Sequence, residues 1–237
     1  MPEEDLELCW HSHATSKISS EQDLDSVSTM GFRGEALASI AAVARLEVET
    51  AHLGEGARLV VEAGEQQILQ PCPRGVGTLV KVSRLFHQLP GRRNFLRSER
   101  AEAAAVRREV QNRALGFPHV SFTLVTGPRD GSAGSAVSQS GNAEHSSRSH
   151  SNWRTSLSLP AEESIALRFA AVLGPAVQPG LLEEITGNYG DFRVHLVLGE
   201  PGVFRGDRGG IRICVNRRPV SDFRFVQAIE YGYAGLM

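Results

Sequence analysis

Lysine is nearly missing from this 237-residue chain: of its 25 basic side chains, only Lys17 and Lys81 are lysines, and the others are arginines. Cysteine is scarce as well, because Cys9, Cys72 and Cys214 are far apart in the sequence and odd in number. Three such residues argue against a disulfide framework or a zinc site and fit a reducing cytoplasm.

Long apolar runs are also absent. No run approaches the roughly 20 residues of a membrane-spanning helix, and the acidic start, Met1 to Asp5, has no apolar segment of the kind found in signal peptides. The formal net charge of −2 gives no overall indication of nucleic-acid binding. The chain is long enough for one large or two small globular domains.

Helical and β-type patterns alternate along the chain, which indicates α/β layers. Helices are predicted from Glu35 onward and over 98–115, 161–173 and 223–233. Strands are predicted over 46–50, 57–62, 67–70, 77–82, 121–126, 192–198 and 210–215. Residues 127–152 are rich in Ser and Gly and nearly free of apolar side chains. A flexible insertion or linker is therefore predicted there.

A glycine-containing segment before the first long helical pattern has the residue types that bind phosphate. Gly31 and Gly34 flank Phe32 and Arg33, and the sequence continues Glu-Ala-Leu. Glycines allow close backbone approach to a ligand, and the N-terminus of a helix offers unpaired N–H groups. Arg33 adds a charged donor. The alternative interpretation is a glycine-rich loop that only begins a helix.

A second segment, His13-Ala14-Thr15-Ser16-Lys17, sets two hydroxyl groups beside one of the two lysines. A lysine ammonium next to Ser and Thr donors suits a phosphate or a magnesium–phosphate group. Taken alone, the segment favours a polar loop with a solvated lysine.

These two segments, in this order, resemble the N-terminal region of the MutL-type DNA mismatch-repair proteins, which belong to the GHKL ATPase superfamily. The string Gly-Phe-Arg-Gly-Glu-Ala-Leu is highly specific to that family. Moderately specific matches follow at 75–78, 85–86, 89–96 and 215–220. The resemblance covers nearly the whole chain apart from 127–152.

The resemblance implies a two-layer α/β fold in three parts. These are a partial GHKL (Bergerat-type) ATP-binding domain over 1–126, a flexible insertion or linker over 127–159, and a partial ribosomal-S5-like transducer domain over 160–237. It implies an ATP lid formed by His13, Ala14, Thr15, Ser16 and Lys17. The phosphate-binding residues would be Gly31, Phe32, Arg33, Gly34, Glu35, Ala36 and Leu37. Thr78 would lie near the adenine.

Several motifs of the family have no counterpart in this chain. The helix with the general-base Glu and the Mg²⁺-binding Asn, and the Asp-x-Gly-x-Gly loop that reads the adenine, precede the lid in the family. The His-Pro-x-Lys loop follows the last matched segment. We therefore assign no catalytic residue and no metal ligand. ATP and Mg²⁺ are expected as cofactors of the full-length protein, while the isolated chain is predicted to be inactive in ATP hydrolysis.

The resemblance also implies the function and the partners. The full-length protein would link mismatch recognition to downstream repair, with ATP binding closing the lid and driving dimerisation. Its partners would be DNA without sequence specificity, a MutS-type recognition protein and a second copy of itself, in the cytoplasm, near the nucleoid and away from membranes. The alternatives are a non-catalytic fragment that binds DNA or protein, or another GHKL ATPase. The Gly-Phe-Arg-Gly-Glu-Ala-Leu string argues against the latter.

Arginines concentrate in two stretches. Residues 91–115 hold seven arginines against three acidic residues, and 204–224 hold six against two. Such stretches can contact DNA phosphates without sequence specificity. The candidates are Arg92, Arg93, Arg107, Arg108, Arg217 and Arg218. The alternative is a solvated helix face with ion pairs such as Glu109 with Arg113.

Overall fold

The computed structural model describes residues 1–18, 31, 33–127, 153–175, 177–200, 202–203 and 208–234. The chain divides into two compact units, Met1–Glu102 and Ala103–Met237. Within the described ranges, no helix has both the length and the apolar composition needed to cross a membrane.

The first unit is a four-stranded antiparallel sheet with helices on one face. Its strands follow the order β3-β2-β1-β4. The elements are α1 (Glu3–Leu8), α2 (Ala36–Val43), β1 (Arg45–His52), β2 (Glu55–Glu62), β3 (Glu65–Pro71), β4 (Gly77–Ser83) and α3 (Pro90–Arg93). Two-residue turns join β1 to β2 and β2 to β3, and each ends in a glycine with positive φ, at Gly54 and Gly64. Turns of this kind match the right-handed twist of antiparallel strands.

The core of the first unit lies between one sheet face and the two helices. Leu46 and Val48 of β1 alternate with polar neighbours, and they pack with Leu59 of β2, Leu6 of α1 and Ala41 of α2. Each of the larger side chains contributes about 1.5–3 kcal/mol by leaving water. The period-2 pattern of the strands therefore fixes which face of the sheet receives α1 and α2.

The opposite face of the same sheet carries a network of charges. Glu47 accepts hydrogen bonds from Arg45 at 3.1 Å and from Arg58 at 2.7 Å. Glu62 accepts from Arg45 at 2.8 Å and from Arg84 at 2.9 Å. Burial raises the pKa of Glu47, but the bonds from Arg58 and Arg45 outweigh burial and lower it overall.

In its described residues, the second unit contains three two-stranded antiparallel sheets and three helices, and α4 spans the division between the units. The elements are α4 (Glu99–Leu115), β5 (Phe122–Thr126), β6 (Arg154–Leu159), α5 (Ile165–Leu173), a 3₁₀ turn (Pro179–Leu181), β7 (Leu182–Tyr189), β8 (Phe192–Gly199), a second 3₁₀ turn (Arg208–Gly210), β9 (Ile213–Val215), β10 (Arg218–Val220) and α6 (Phe223–Tyr233). The pairs are β5–β6, β7–β8 and β9–β10.

A small apolar core and one buried arginine hold the second unit together. Leu115 of α4 packs with Leu157 and Leu159 of β6 and with Val172 of α5. Arg168 of α5 is 0% exposed, and its guanidinium donates to the carbonyl oxygens of Pro118 at 2.7 Å and Val120 at 2.6 Å. The loop after α4 is therefore bonded directly to α5.

The mixed α/β class expected from the sequence is confirmed, but the predicted linker over 127–159 is wrong at its end. Arg154–Leu159 forms β6, because Leu157 and Leu159 are buried and β6 pairs with β5 from Thr126↔Arg154 onward. That pairing also brings β5 into the second unit, whereas the predicted boundary was at 126. The strand β7 was not predicted, and residues 128–152 lie outside the described residues.

Candidate phosphate-binding site

The segment after α1 lies against the residues that lead into α2. Ala14 donates its backbone N–H to the carbonyl of His11 at 3.3 Å. Gly34 has φ +66°, and a Cβ placed there would lie 2.8 Å from the Ala14 nitrogen and 2.7 Å from its carbonyl carbon. Any side chain at Gly34 would therefore collide with backbone. The two segments that the sequence marked separately as phosphate-binding are in contact.

A carboxylate and a histidine hold the same two segments together. Oε1 of Glu35 accepts a hydrogen bond from the His13 backbone N–H at 3.2 Å and lies 2.7 Å from His13 Nδ1. His13 is in the left-handed region with φ 66°. Glu35 is the N-cap residue of α2, yet its side chain makes no capping bond to that helix. The first N–H groups of α2 are thus not capped by Glu35.

The remaining lid candidates present polar groups beside this contact. The hydroxyl of Thr15 accepts a bond from the Lys17 backbone N–H at 3.2 Å. Ser16 and Lys17 are exposed, as are Gly31 and Arg33 of the glycine segment. Phe32 lies outside the described residues. An ammonium, a guanidinium and a helix N-terminus on joined segments form a place where an anion is favoured.

Thr78 lies on β4, directly opposite Thr50 of β1. Their Oγ1 atoms are 2.9 Å apart, and the Oγ1 of Thr50 is also 3.4 Å from the carbonyl of Gly77. Thr50 is 1% exposed. Thr50 could not be found from the sequence, because only the strand register places it next to Thr78. It orients the hydroxyl of the adenine-side candidate.

The six arginines proposed for DNA contact differ in their surroundings. Nη1 of Arg107 donates to the Ser156 carbonyl at 2.6 Å, and the guanidinium of Arg217 lies 5.8 Å from the centre of the Phe117 ring. Arg218 is half-buried. The remaining three candidates are exposed: Arg92 and Arg93 at the end of α3, and Arg108 on α4. These three are the side chains best placed to reach a phosphate backbone.

Metal ligands are not grouped in this part of the molecule. Among the residues that the structure describes, no three His, Cys, Asp or Glu side chains come together in a group that could hold a metal ion by themselves.

Comparison with known proteins identifies the family. No protein-family model matches the sequence. The DNA mismatch repair protein MutL of Opitutus terrae is 35% identical over 235 residues, which are 98% of this chain. That of Rhizobium rhizogenes is 36% identical over 237 residues, or 99% of the chain. The chain belongs to the MutL family. It spans about a third of the length of these MutL proteins, 33% and 34% respectively.

Solved structures agree with the MutL assignment at the level of the fold. The ADP-complexed ATPase domain of Aquifex aeolicus MutL matches with a TM-score of 0.60 at 23% identity, covering 90% of this chain and 71% of that domain. The N-terminal domain of a DNA repair protein matches with a TM-score of 0.67 at 22% identity, over 96% of this chain and 64% of that one. The resemblance to the GHKL fold predicted from the sequence is confirmed.

Proposed function

We propose that the MutL protein to which these residues belong acts in DNA mismatch repair as an ATP-dependent link between mismatch recognition and the later repair steps. In this proposal, the His13–Lys17 segment and the residues leading into α2 bind the phosphates of the nucleotide. The proposal rests on the direct contact of Ala14 with Gly34, which brings the two candidate phosphate-binding segments together.

The chain's own groups supply most of what a phosphate needs. The N-terminal N–H groups of α2, with the positive end of the helix dipole, face an anion favourably. Lys17 and Arg33 add positive charge. Gly34 keeps the backbone surface clear of side-chain atoms. Bound ATP would supply the γ-phosphate that distinguishes its state from the ADP state. Thr78, oriented by Thr50, would contact the adenine side.

A Mg²⁺ ion would accompany ATP in such a site. We assign no ligand for it and derive no hydrolytic step from this chain. The carboxylate in the site, Glu35, has Oε1 bonded to His13, and we assign it no role as a general base.

The partners follow from the same proposal. Arg92, Arg93 and Arg108 would contact DNA phosphates without sequence specificity. A MutS-type mismatch-recognition protein and a second copy of the MutL protein would bind in the ATP state, after lid closure. The protein would act in the cytoplasm, at the nucleoid.

A second candidate function is a non-catalytic module that binds DNA or protein. The engagement of Glu35 with His13 favours it for this chain taken alone, because no free carboxylate lies beside the phosphate-binding segments among the described contacts.

A mutator assay tests the repair function in the host. Deleting the gene is expected to raise the frequency of spontaneous mutation, and the intact gene is expected to restore it. A Gly34→Val gene should fail to restore it, whereas Gly180→Ala should succeed, because Gly180 lies outside the proposed site and a Cβ there meets nothing within 4 Å. A deletion that leaves the mutation frequency unchanged would contradict the proposal.

A further inference from the structure

The side chain of Glu35 poses an electrostatic problem in the proposed site. A carboxylate next to a phosphate-binding helix N-terminus opposes an anionic ligand. A carboxylate at the start of a helix commonly bonds to the helix's own N–H groups, but Glu35 makes no such bond. Its hydrogen bonds therefore go to a part of the chain other than α2.

The geometry shows what Glu35 contacts instead. One oxygen, Oε1, meets both the backbone N–H of His13 at 3.2 Å and Nδ1 of the same residue at 2.7 Å. His13 has φ 66°, a conformation that is uncommon outside glycine. The next residue, Ala14, is the one that packs on Gly34. The bonds from Glu35 therefore hold the turn that sets the direction of the Ala14–Lys17 segment.

We propose that Glu35 is a positioning residue for phosphate binding, which rests on the function proposed above. Its carboxylate holds His13 in the left-handed conformation and so keeps Ala14 on Gly34. The residues that follow, through Lys17, take their position from this contact. It does not itself contact the phosphate. Because the carboxylate of Glu35 bonds to the backbone N–H and Nδ1 of His13, its negative charge faces these two groups and not the ligand.

The direction in which the affinity for ADP changes on removal of Glu35 distinguishes a positioning role from simple repulsion of the phosphate. If Glu35 only repelled phosphate, removing its charge would tighten binding. If Glu35 positions the segment, Glu35→Ala weakens ADP binding by about tenfold, the equivalent of one lost charge-assisted hydrogen bond. Glu35→Gln keeps an oxygen acceptor for the His13 N–H and is expected to fall between Glu35→Ala and the unchanged chain.

The experiment titrates the purified 237-residue chain with ADP and also measures the ¹⁵N order parameters of residues 13–17 without ligand. In Glu35→Ala the order parameters of these residues are expected to fall below about 0.6, the range of flexible backbone. Glu65→Ala removes an exposed carboxylate from the start of β3 and serves as the control, with no change in order at 13–17.

The two readouts distinguish the two proposals. Unchanged order parameters in Glu35→Ala, or tighter ADP binding, would overturn the positioning role. No ADP binding by the unchanged chain at millimolar concentration would count against the nucleotide site, while the order parameters would still decide the role of Glu35.

Discussion

Gly34 has no side chain, and the backbone of Ala14 lies where its Cβ would be. The contact joins a segment that follows α1 to the segment that begins α2. Two features require a glycine at this position: φ is +66°, and no side-chain atom fits between the two backbones. The phosphate-binding site proposed for this MutL chain depends on that approach.

Replacing Gly34 by alanine is expected to separate the two segments. The left-handed conformation alone costs an L-residue about 1–2 kcal/mol, and the collision with Ala14 adds to it. We expect Gly34→Ala to lower the affinity for ADP by at least tenfold, measured by titration of the purified chain.

The matched control is Gly180→Ala, in the first 3₁₀ turn of the second unit, whose new methyl group has open space. It should bind ADP as the unchanged chain does. Equal losses in the two variants would show that the loss does not come from the Ala14 contact.

The buried Arg168 is expected to stabilise the second unit. Arg168→Ala removes both bonds to the loop after α4, and we expect a loss of about 3 kcal/mol in the free energy of unfolding. Arg168→Met should lose less, because it keeps apolar packing and removes Nε and Nη1, which have no hydrogen-bond partner among the described residues. Urea unfolding in a Trp10→Phe background, with Trp153 as the single tryptophan, measures this.

Arg108→Met is the control for Arg168, since Arg108 is exposed on α4. It should change the unfolding free energy by less than about 0.5 kcal/mol. A stability of Arg168→Ala equal to that of the control would refute the role of the buried guanidinium.

Glu47 is expected to make the stability of the first unit depend on pH. Its pKa is lowered overall in the folded chain, because the bonds from Arg58 and Arg45 outweigh burial. Its contribution is therefore present above the ordinary glutamate value of about 4.3 and is lost as the pH falls through the lowered pKa. Glu47→Gln should destabilise the unit at pH 7 and make little difference near pH 2.

Urea unfolding across this pH range, followed by Trp10 in a Trp153→Phe background, tests the prediction. Glu55→Gln, the control, removes an exposed carboxylate from the start of β2. Its effect on the free energy of unfolding should be the same at pH 7 and near pH 2. A destabilisation by Glu47→Gln that persists undiminished at low pH would argue against an electrostatic contribution.

Arg108 provides the cleaner test of DNA contact. Reversing Arg107 also breaks its bond to Ser156, so a loss of DNA retention there has two causes. Arg108→Glu is expected to weaken binding to non-specific duplex DNA at low salt and to reduce the slope of log affinity against log salt by about 0.9. Arg193→Glu, on β8 outside both arginine-rich stretches, is the control. The same salt slope for the unchanged chain, Arg108→Glu and Arg193→Glu would rule out this contact.

The two candidate phosphate-binding segments could be selected from the sequence because their residue types are local: hydroxyls beside a lysine, and glycines before a helix. The bonds of Glu35 to His13 could not, because they depend on a left-handed residue and on the approach of two distant segments. Thr50 was missed for a similar reason, since only the β1–β4 register sets it opposite Thr78. The strand β6 was overlooked because its short apolar alternation follows a long serine-rich stretch.

We propose that the segments at His13–Lys17 and at the start of α2 bind one anionic ligand together. The decisive measurement follows the amide chemical shifts of the 237-residue chain during titration with ADP to millimolar concentration. We expect saturable shifts at Ala14, Lys17, Gly34 and Ala36 that share one dissociation constant and are lost in Gly34→Ala. Shifts confined to one of the two segments, or the same shifts in Gly34→Ala, would refute a shared site.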